Sequence, residues 1–380
     1  MISQQLERYV WELEKCSGCG ACVACCSKGV LQFQEEHEHP VHREINRSLG
    51  LTNRRIDTCS RCEAYCEKVC PRLNKVDGGD IISVVSARTS LTSERSKFGD
   101  LLSDVINQML VIALEGDFVD GAIIHDVDRW PWATFSRIVT TPEEIYASAG
   151  HQLIWSPTLV SLDKAIHERG LRRIAVVGAP CVMSAARLIM ASKDRALKSY
   201  KDSIRFLIGR FCEGMVNRAI VQRMMEGEMG ISPRSMARMD RSKDDRSLTI
   251  TKYDGNVKEI SLANVQKFLR KGCARCTDYL AENSDISIGY AGSRHGYCTI
   301  VTWNQEGESL LRMSEVTGHV EITRNVDTPM MMDVKRSKEK RHRSQEYDDV
   351  LLAMLQALDD QSSAKDAIRR YRNLTKEGSQ

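Results

Sequence analysis

The chain has 380 residues, and its 54 Lys and Arg nearly cancel its 51 Asp and Glu, leaving a formal charge of +3. That balance argues against the strongly basic face on which dominant nucleic-acid binding depends, and a hydrophobic share of 42% argues against global disorder. One large domain with one or two small ones is expected at this length.

No apolar run reaches the roughly 18 residues of a membrane span, and Met1-Ile2-Ser3-Gln4-Gln5 lacks the basic start of a signal peptide. A cytoplasmic location is expected. In chain order, residues 1–80 form a Cys-rich region, 81–320 an α/β domain, and 321–380 a basic, helical C-terminal extension.

Nine of the 14 cysteines fall between Cys16 and Cys70. In a reducing compartment such crowding reads as metal ligation or redox chemistry, not cross-linking. The same region has little periodic apolar pattern, with polar stretches such as Glu35-Glu36-His37-Glu38-His39. Metal ligation would have to supply much of its folding free energy.

The first run is Cys16-x2-Cys19-x2-Cys22-x3-Cys26, the spacing that lets thiolates from one loop surround a four-iron cube. Ser27 stands where a proline usually follows the fourth cysteine, and Cys25 beside Cys26 leaves that position open between the two. Gly18 and Gly20 suit a loop whose amides turn toward sulfide. The second run is Cys59-x2-Cys62-x3-Cys66-x3-Cys70, closed by Pro71. By the crossed pattern of two-cluster ferredoxins, one cube takes Cys16, Cys19, Cys22 and Cys70, and the other takes Cys59, Cys62, Cys66 and Cys26. Zinc ribbons also use paired Cys-x2-Cys motifs, but two four-cysteine runs favour iron and sulfide.

From Ile81 the pattern alternates between strands and helices. Ile81–Val85 reads as a strand, and Leu101, Leu102, Val105, Ile106, Met109, Ile112 and Ala113 recur at helical spacing. Gly121–Ile124 is a short strand. Thr141-Pro142-Glu143-Glu144 opens a helix, with Thr as N-cap and Pro at the first helical position. Ile174–Gly178 and Ile204–Gly209 are buried-strand runs, and residues 248–260 read as a hairpin turned at Asp254-Gly255. An α/β core with a mixed sheet follows. Lys335 to Arg343 reads as a solvated charge run leading into a packing helix, or as a docking tail for a partner.

Five cysteines lie in the α/β region. Cys273-Ala274-Arg275-Cys276 has metal-ligand spacing. Cys181 and Cys212 each follow a predicted strand, at the carboxyl ends where open α/β sheets bind ligands. Taken singly each suits a small core residue; Cys181, Cys212, Cys273 and Cys276 together could form a third cluster, with Cys298 spare.

These core residues resemble the beta subunits of coenzyme-F420-reducing hydrogenase and their relatives. That family includes the F420H2 dehydrogenase input subunit, the F420-linked formate dehydrogenase beta subunit and hydroxymethyl-chlorophyll reductases. The resemblance runs from about residue 10 to 315. It is carried by Val177-Gly178-Ala179-Pro180-Cys181, Phe211-Cys212, Cys273 to Asp278, Asp285 to Gly289, Asp120-Gly121-Ala122, and Thr141 to Ile145 with Gly150.

The resemblance implies FAD against the α/β core, coenzyme F420 exchanging hydride with it, and a core four-iron cluster on Cys181, Cys212, Cys273 and Cys276. The N-terminal clusters would relay electrons to other subunits of a redox complex, which could hold the chain at the inner membrane face. An F420H2-oxidising input subunit is favoured; alternatives are a formate dehydrogenase or hydrogenase beta subunit, a tetrapyrrole reductase, or a flavin-free electron carrier. Flavin and F420 contacts are expected at Ser96, Lys97, Gly99, Gly150, Gly178, Pro180, Asp285, Gly289 and Arg294, with Lys271 a further candidate for the acidic F420 tail and His295 a candidate proton handler. Ser96-Lys97-Phe98-Gly99, His151-Gln152-Leu153 and Tyr290 depart from the family pattern in this region. The hydride chemistry is expected to survive removal of residues 1–80.

Overall fold

The computed structural model describes residues 4–34, 37–42, 62–89, 101–128, 133–148, 153–241, 247–261, 264–265 and 267–340. Two short strands, β1 (Leu31–Gln32) and β2 (Val41–His42), pair with each other in the Cys-rich region. The strands that follow are β3 (Ser83–Thr89), β4 (Gly121–Asp128), β5 (Ala133–Val139), β6 (Ile174–Gly178), β7 (Ile204–Arg210), β8 (Met236–Arg241), β9 (Ser247–Lys252), β10 (Val257–Ser261), β11 (Ile286–Gly289), β12 (Cys298–Thr302) and β13 (Val320–Thr323). Of these, β8, β9 and β10 form a separate antiparallel sheet, and the other eight form the central one.

The spatial order of the large sheet is β13-β3-β12-β11-β7-β6-β4-β5. The inner strands β4, β6, β7 and β11 are parallel, and antiparallel strands flank them on both sides. The sheet is therefore mixed. All five residues of β6 are buried, as expected for a parallel strand covered on both faces.

The strand period of two assigns the faces. Ala122, Ile124, Ala175 and Val177 pack under the Leu101–Glu115 helix together with Leu310 and Leu311 of the Gln305–Val316 helix. Ile123, Ile174 and Val176 pack on the other face, against Leu162, Ile166, Val182 and Ile189 of the Leu162–His167 and Pro180–Ala191 helices. Thr141 caps its helix by accepting from the Glu144 amide, and Glu144 reaches back one residue further than expected, to the Thr140 amide at 2.7 Å.

Three expectations shift. The first strand begins at Ser83 and runs to Thr89, with Ile81 and Ile82 exposed, because its ladder with Cys298–Thr302 opens at Ser83. The hairpin at Asp254-Gly255 forms, Gly255 adopting φ +82°, and gains β8 as a third strand. The expected boundary at residue 320 does not hold. β13 pairs with β3, and residues 328–340 form a helix that buries Met331 among Tyr279, Leu280 and Trp303. Residues 341–380 lie outside the described residues.

The Cys-rich region shares a core with the sheet domain. Cys19, Ala21, Ala24, Cys25 and Val69 are buried among Leu159, Leu162, Val182 and Ala186. The Leu159 amide donates to the Cys19 carbonyl at 2.9 Å. The expected separability of residues 1–80 is therefore corrected: removing them would uncover one side of the sheet domain's own core.

Candidate functional site

The parallel strands end together at one edge, and the cysteines lie there. β6 ends at Gly178 and the chain enters the Pro180–Ala191 helix, with Pro180 in its first turn and Cys181 next. A Cβ on Gly178 would meet Val182 at 2.8 Å, so glycine lets this turn close. Cys212 follows β7, and its amide donates to the Tyr279 carbonyl at 2.9 Å. Cys273 and Cys276 sit in and just after a short 3-10 turn, Cys273–Arg275.

These four thiols influence one another electrostatically: Cys181 is affected by Cys273, Cys276 and Cys212, and Cys212 by Cys273 and Cys276. The structure thus brings the four predicted core cysteines together. Cys298 stands apart in the hydrophobic core, its thiol donating to the Ala87 carbonyl at 3.4 Å.

Three cations surround this set, Arg270 and Lys338 buried and Arg72 half-buried. The Arg72 guanidinium donates to the Gly272 carbonyl at 2.9 Å and faces Cys276, Cys181 and Cys273. Arg270 stacks on Trp155 at 3.8 Å, donates to the Ser17 carbonyl at 2.6 Å and lies beside Cys16 and Cys273. Lys338 donates to the carbonyls of Cys212 and Asp278, each at 2.6 Å. The Nε–H groups of Arg72 and Arg270 are buried with no hydrogen-bond partner among the described residues.

The effect on the thiols is uneven. Desolvation pushes Cys212 up to about 11. For Cys276 desolvation pushes the same way, but the Lys338 and Arg72 charges outweigh it and hold the thiol below its ordinary value. Desolvation and the Glu282 carboxylate raise Asp278 to about 6.

The N-terminal thiols adjoin this centre. Cys19 is the leading charged influence on Cys181. The two loops touch so closely that a Cβ on Gly272 would meet the Cys16 carbonyl oxygen at 2.0 Å. Gly18 adopts φ +74°, and a Cβ there would collide with Arg270 and Trp155; the Trp155 indole N–H donates to the Gly18 carbonyl at 3.0 Å.

Cys22 feels Cys19, Cys16, Cys70 and, least, Cys66, while Cys66 feels Cys26, Glu67 and Cys62. Cys22 thus neighbours both expected sets, and Cys59 lies outside the described residues. Desolvation raises Cys16 to about 11 and Cys66 and Cys70 to about 12. Beside the last set a cavity is lined by Trp11, Cys25, Cys26, His42, Cys62 and Cys66. Among the described residues no three Cys, His, Asp or Glu side chains converge tightly enough to hold a single metal ion.

Of the expected flavin and F420 contacts, Ser96, Lys97, Gly99 and Gly150 lie outside the described residues. The described ends flanking residues 90–100 are at the cysteine-bearing edge. Thr89 closes β3 there, and the Leu102 amide is 3.3 Å from the hydroxyl of Tyr290, which follows β11. Arg294 and His295 are exposed in the β11–β12 loop, Arg294 lying over the Tyr297 ring.

Two residues serve the fold instead. Asp285 lies at the amino end of β11, away from this edge, where its carboxylate pairs with Arg187 and accepts from the Leu207 amide and Asn304. Gly289 makes room for Phe211, whose ring a Cβ would meet at 2.0 Å. Lys271 is paired with Glu14 at 2.5 Å.

Sequence reasoning misses Arg72, Arg270, Trp155 and Lys338. Arg72 follows the closing Cys70-Pro71, and Arg270 stands three residues before Cys273, so proximity to ligand motifs is a usable signal. Lys338 has none, being one charge in a basic run.

Two family models of the coenzyme F420 hydrogenase/dehydrogenase beta subunit match the chain. The one for its C terminus covers residues 171–328, and the one for its N-terminal part covers residues 104–163. An uncharacterized protein of Methanocaldococcus jannaschii is 30% identical over 365 residues, 89% of this chain and 97% of its own length. The coenzyme F420-dependent sulfite reductase of the same organism is 27% identical over 89% of this chain, which spans only 53% of that relative. The coenzyme F420 hydrogenase beta subunit of Methanothermobacter thermautotrophicus is 25% identical over 63% of this chain and 83% of its own. In fold, the chain is similar to one from the F420-reducing NiFe hydrogenase complex of Methanosarcina barkeri, with a TM-score of 0.64, 24% identity, and coverage of 73% of this chain and 94% of that one. No helix of the described residues is long and apolar enough to cross a membrane.

Proposed function

The chain belongs to the coenzyme F420 hydrogenase/dehydrogenase beta-subunit family, and on that premise we propose that it is an iron–sulfur flavoprotein oxidoreductase. It exchanges hydride between coenzyme F420 and FAD at the carboxyl edge of the sheet and relays single electrons through three four-iron clusters to other subunits. Its favoured place is the F420H2-oxidising input arm of a larger complex.

The observation that carries this reading is the continuity of thiols. The core set of Cys181, Cys212, Cys273 and Cys276 adjoins Cys16, Cys19, Cys22 and Cys70 through the Cys19–Cys181 neighbourhood, and that set adjoins Cys26, Cys62 and Cys66 through Cys22. The donor chemistry fits: every expected ligand is a thiol, and the side chains of Arg72 and Arg270, each with an unpartnered buried Nε–H among the described residues, lie beside the thiols. When bound, a flavin exchanges two electrons as hydride and a cluster carries them singly.

The chain's own residues have definite tasks in this scheme. Gly178 and Pro180 turn the backbone so that Cys181 enters the edge. Arg270 and Trp155 lock the Cys16–Cys19 loop against the Cys273 loop, and Gly272 permits their contact.

A second reading is an electron-delivery module for a separate reductase, favoured by the match to about half the length of the sulfite reductase. Anaerobic stopped-flow mixing with F420H2 tests the proposal: loss of flavin absorbance followed by cluster bleaching is expected. Bound flavin that F420H2 leaves oxidised would count against the F420 assignment.

A further inference from the structure

Lys338 is fully buried, on a helix of residues 328–340 that lies almost wholly beyond the family-matched residues 171–328. Burying an ammonium without compensation is costly. Two of its three N–H donors go to the Cys212 and Asp278 carbonyls at 2.6 Å, leaving one with no partner among the described residues. Tethering two loops would need only a neutral amide. The acidic groups that act on it are, in order, the thiols of Cys276 and Cys212, Asp278 and the Cys273 thiol; Glu282 is already paired with Lys335 at 2.5 Å. The charge is thus aimed at the core cysteines.

We propose that Lys338 is a positioning residue that raises the reduction potential of the cluster held by Cys181, Cys212, Cys273 and Cys276. The inference rests on the cluster reading above. When such a cluster takes up one electron, its negative charge grows by one, and a fixed cation in a low-dielectric surround stabilises that added charge. No bond forms and no proton moves. The segment read from sequence as a solvated charge run therefore delivers a charge to the redox centre.

The test is an EPR-monitored redox titration of the full-length, anaerobically purified protein, comparing wild type with Lys338→Gln and Lys338→Arg. Gln keeps a donor for the carbonyls and removes the charge. It should shift the reduction equilibrium of one cluster at least tenfold toward the oxidised form, about 59 mV for a one-electron couple, leaving the others in place. Lys338→Arg should restore most of that shift. Unchanged potentials in Lys338→Gln, or an equal shift in every cluster, would overturn the proposal. Should Lys338→Gln fail to hold the core cluster, Lys338→Arg decides: a potential near wild type supports the charge role, and a full tenfold shift refutes it. Wild-type protein without iron–sulfur signals would instead sink the functional reading beneath it.

Discussion

The core thiols and the outermost thiols share one ligand chemistry in opposite electrostatic settings. Cys181, Cys212, Cys273 and Cys276 are ringed by Arg72, Arg270 and Lys338, and one of them, Cys276, is held below its ordinary value despite burial. Around Cys66, after desolvation, the leading influences are Cys26, Glu67 and Cys62, all of which raise it. The middle set is intermediate, with Arg270 and Arg72 acting on Cys16. Potentials of such clusters follow local charge and hydrogen bonding to sulfur. On the proposed three-cluster reading, the difference predicts that the cluster nearest the sheet edge would be the easiest of the three to reduce.

The severest way to break the comparison is to remove one side of it. A chain beginning at residue 81 loses Arg72 and uncovers Leu159, Leu162 and Val182. Each such side chain is worth about 1.5–3 kcal/mol of burial, and several approach the whole stability of a domain, about 5–15 kcal/mol. The truncated protein should be insoluble or lack a cooperative thermal transition; a sharp transition would show that the two regions are independent after all.

Asp285 supplies a control at the opposite edge. Removing it as Asp285→Ala leaves Arg187 without its carboxylate, at a cost of about 3–5 kcal/mol for a buried pair. Urea unfolding should register the loss, while flavin content in native buffer stays normal. Loss of flavin from a folded variant would restore the cofactor role.

Cys276→Ser sharpens the comparison chemically. Iron should fall from about twelve to about eight per chain, with the N-terminal cluster signals retained by EPR; retention of all iron would make Cys276 structural only. Gly272→Ala probes the contact between the sets, since its Cβ would meet the Cys16 backbone. Overpacking of this kind costs about 1–3 kcal/mol, and a lowered melting temperature with slower cluster-to-cluster transfer is expected. A wild-type melt and rate would show that the loops part freely. The smallest effect is on the outer set, where Glu67→Gln should raise that cluster's potential slightly and leave the core cluster untouched. A shift at the core cluster would mean the sets are not electrostatically distinct.

What the sequence disclosed follows the same divide. The proposed N-terminal ligands are legible because their spacing is local: on that reading one loop places three thiols around one cube, and the crossed partner comes from a second such run. The sheet is legible where apolar runs are continuous, as in Ile174–Gly178. The core set spans Cys181 to Cys276, and only the order of the strands brings its members to one edge, so spacing alone leaves them as packing residues. The cations are harder still. A buried lysine and a solvated lysine look alike in a basic run, and Lys338 is distinguished only in three dimensions, by its burial and its bonds to the Cys212 and Asp278 carbonyls. Asp285 misleads in the other direction, since an acidic residue beside a strand looks available until Arg187 is seen to hold it.

The central claim is that twelve cysteines hold three clusters beside a flavin in one chain. Anaerobic purification with iron, acid-labile sulfide, zinc and flavin measured on the same sample tests it most directly. About twelve irons with matching sulfide, about one FAD, and no stoichiometric zinc per chain are expected. Zinc in place of iron, or iron and sulfide with no flavin, would contradict it.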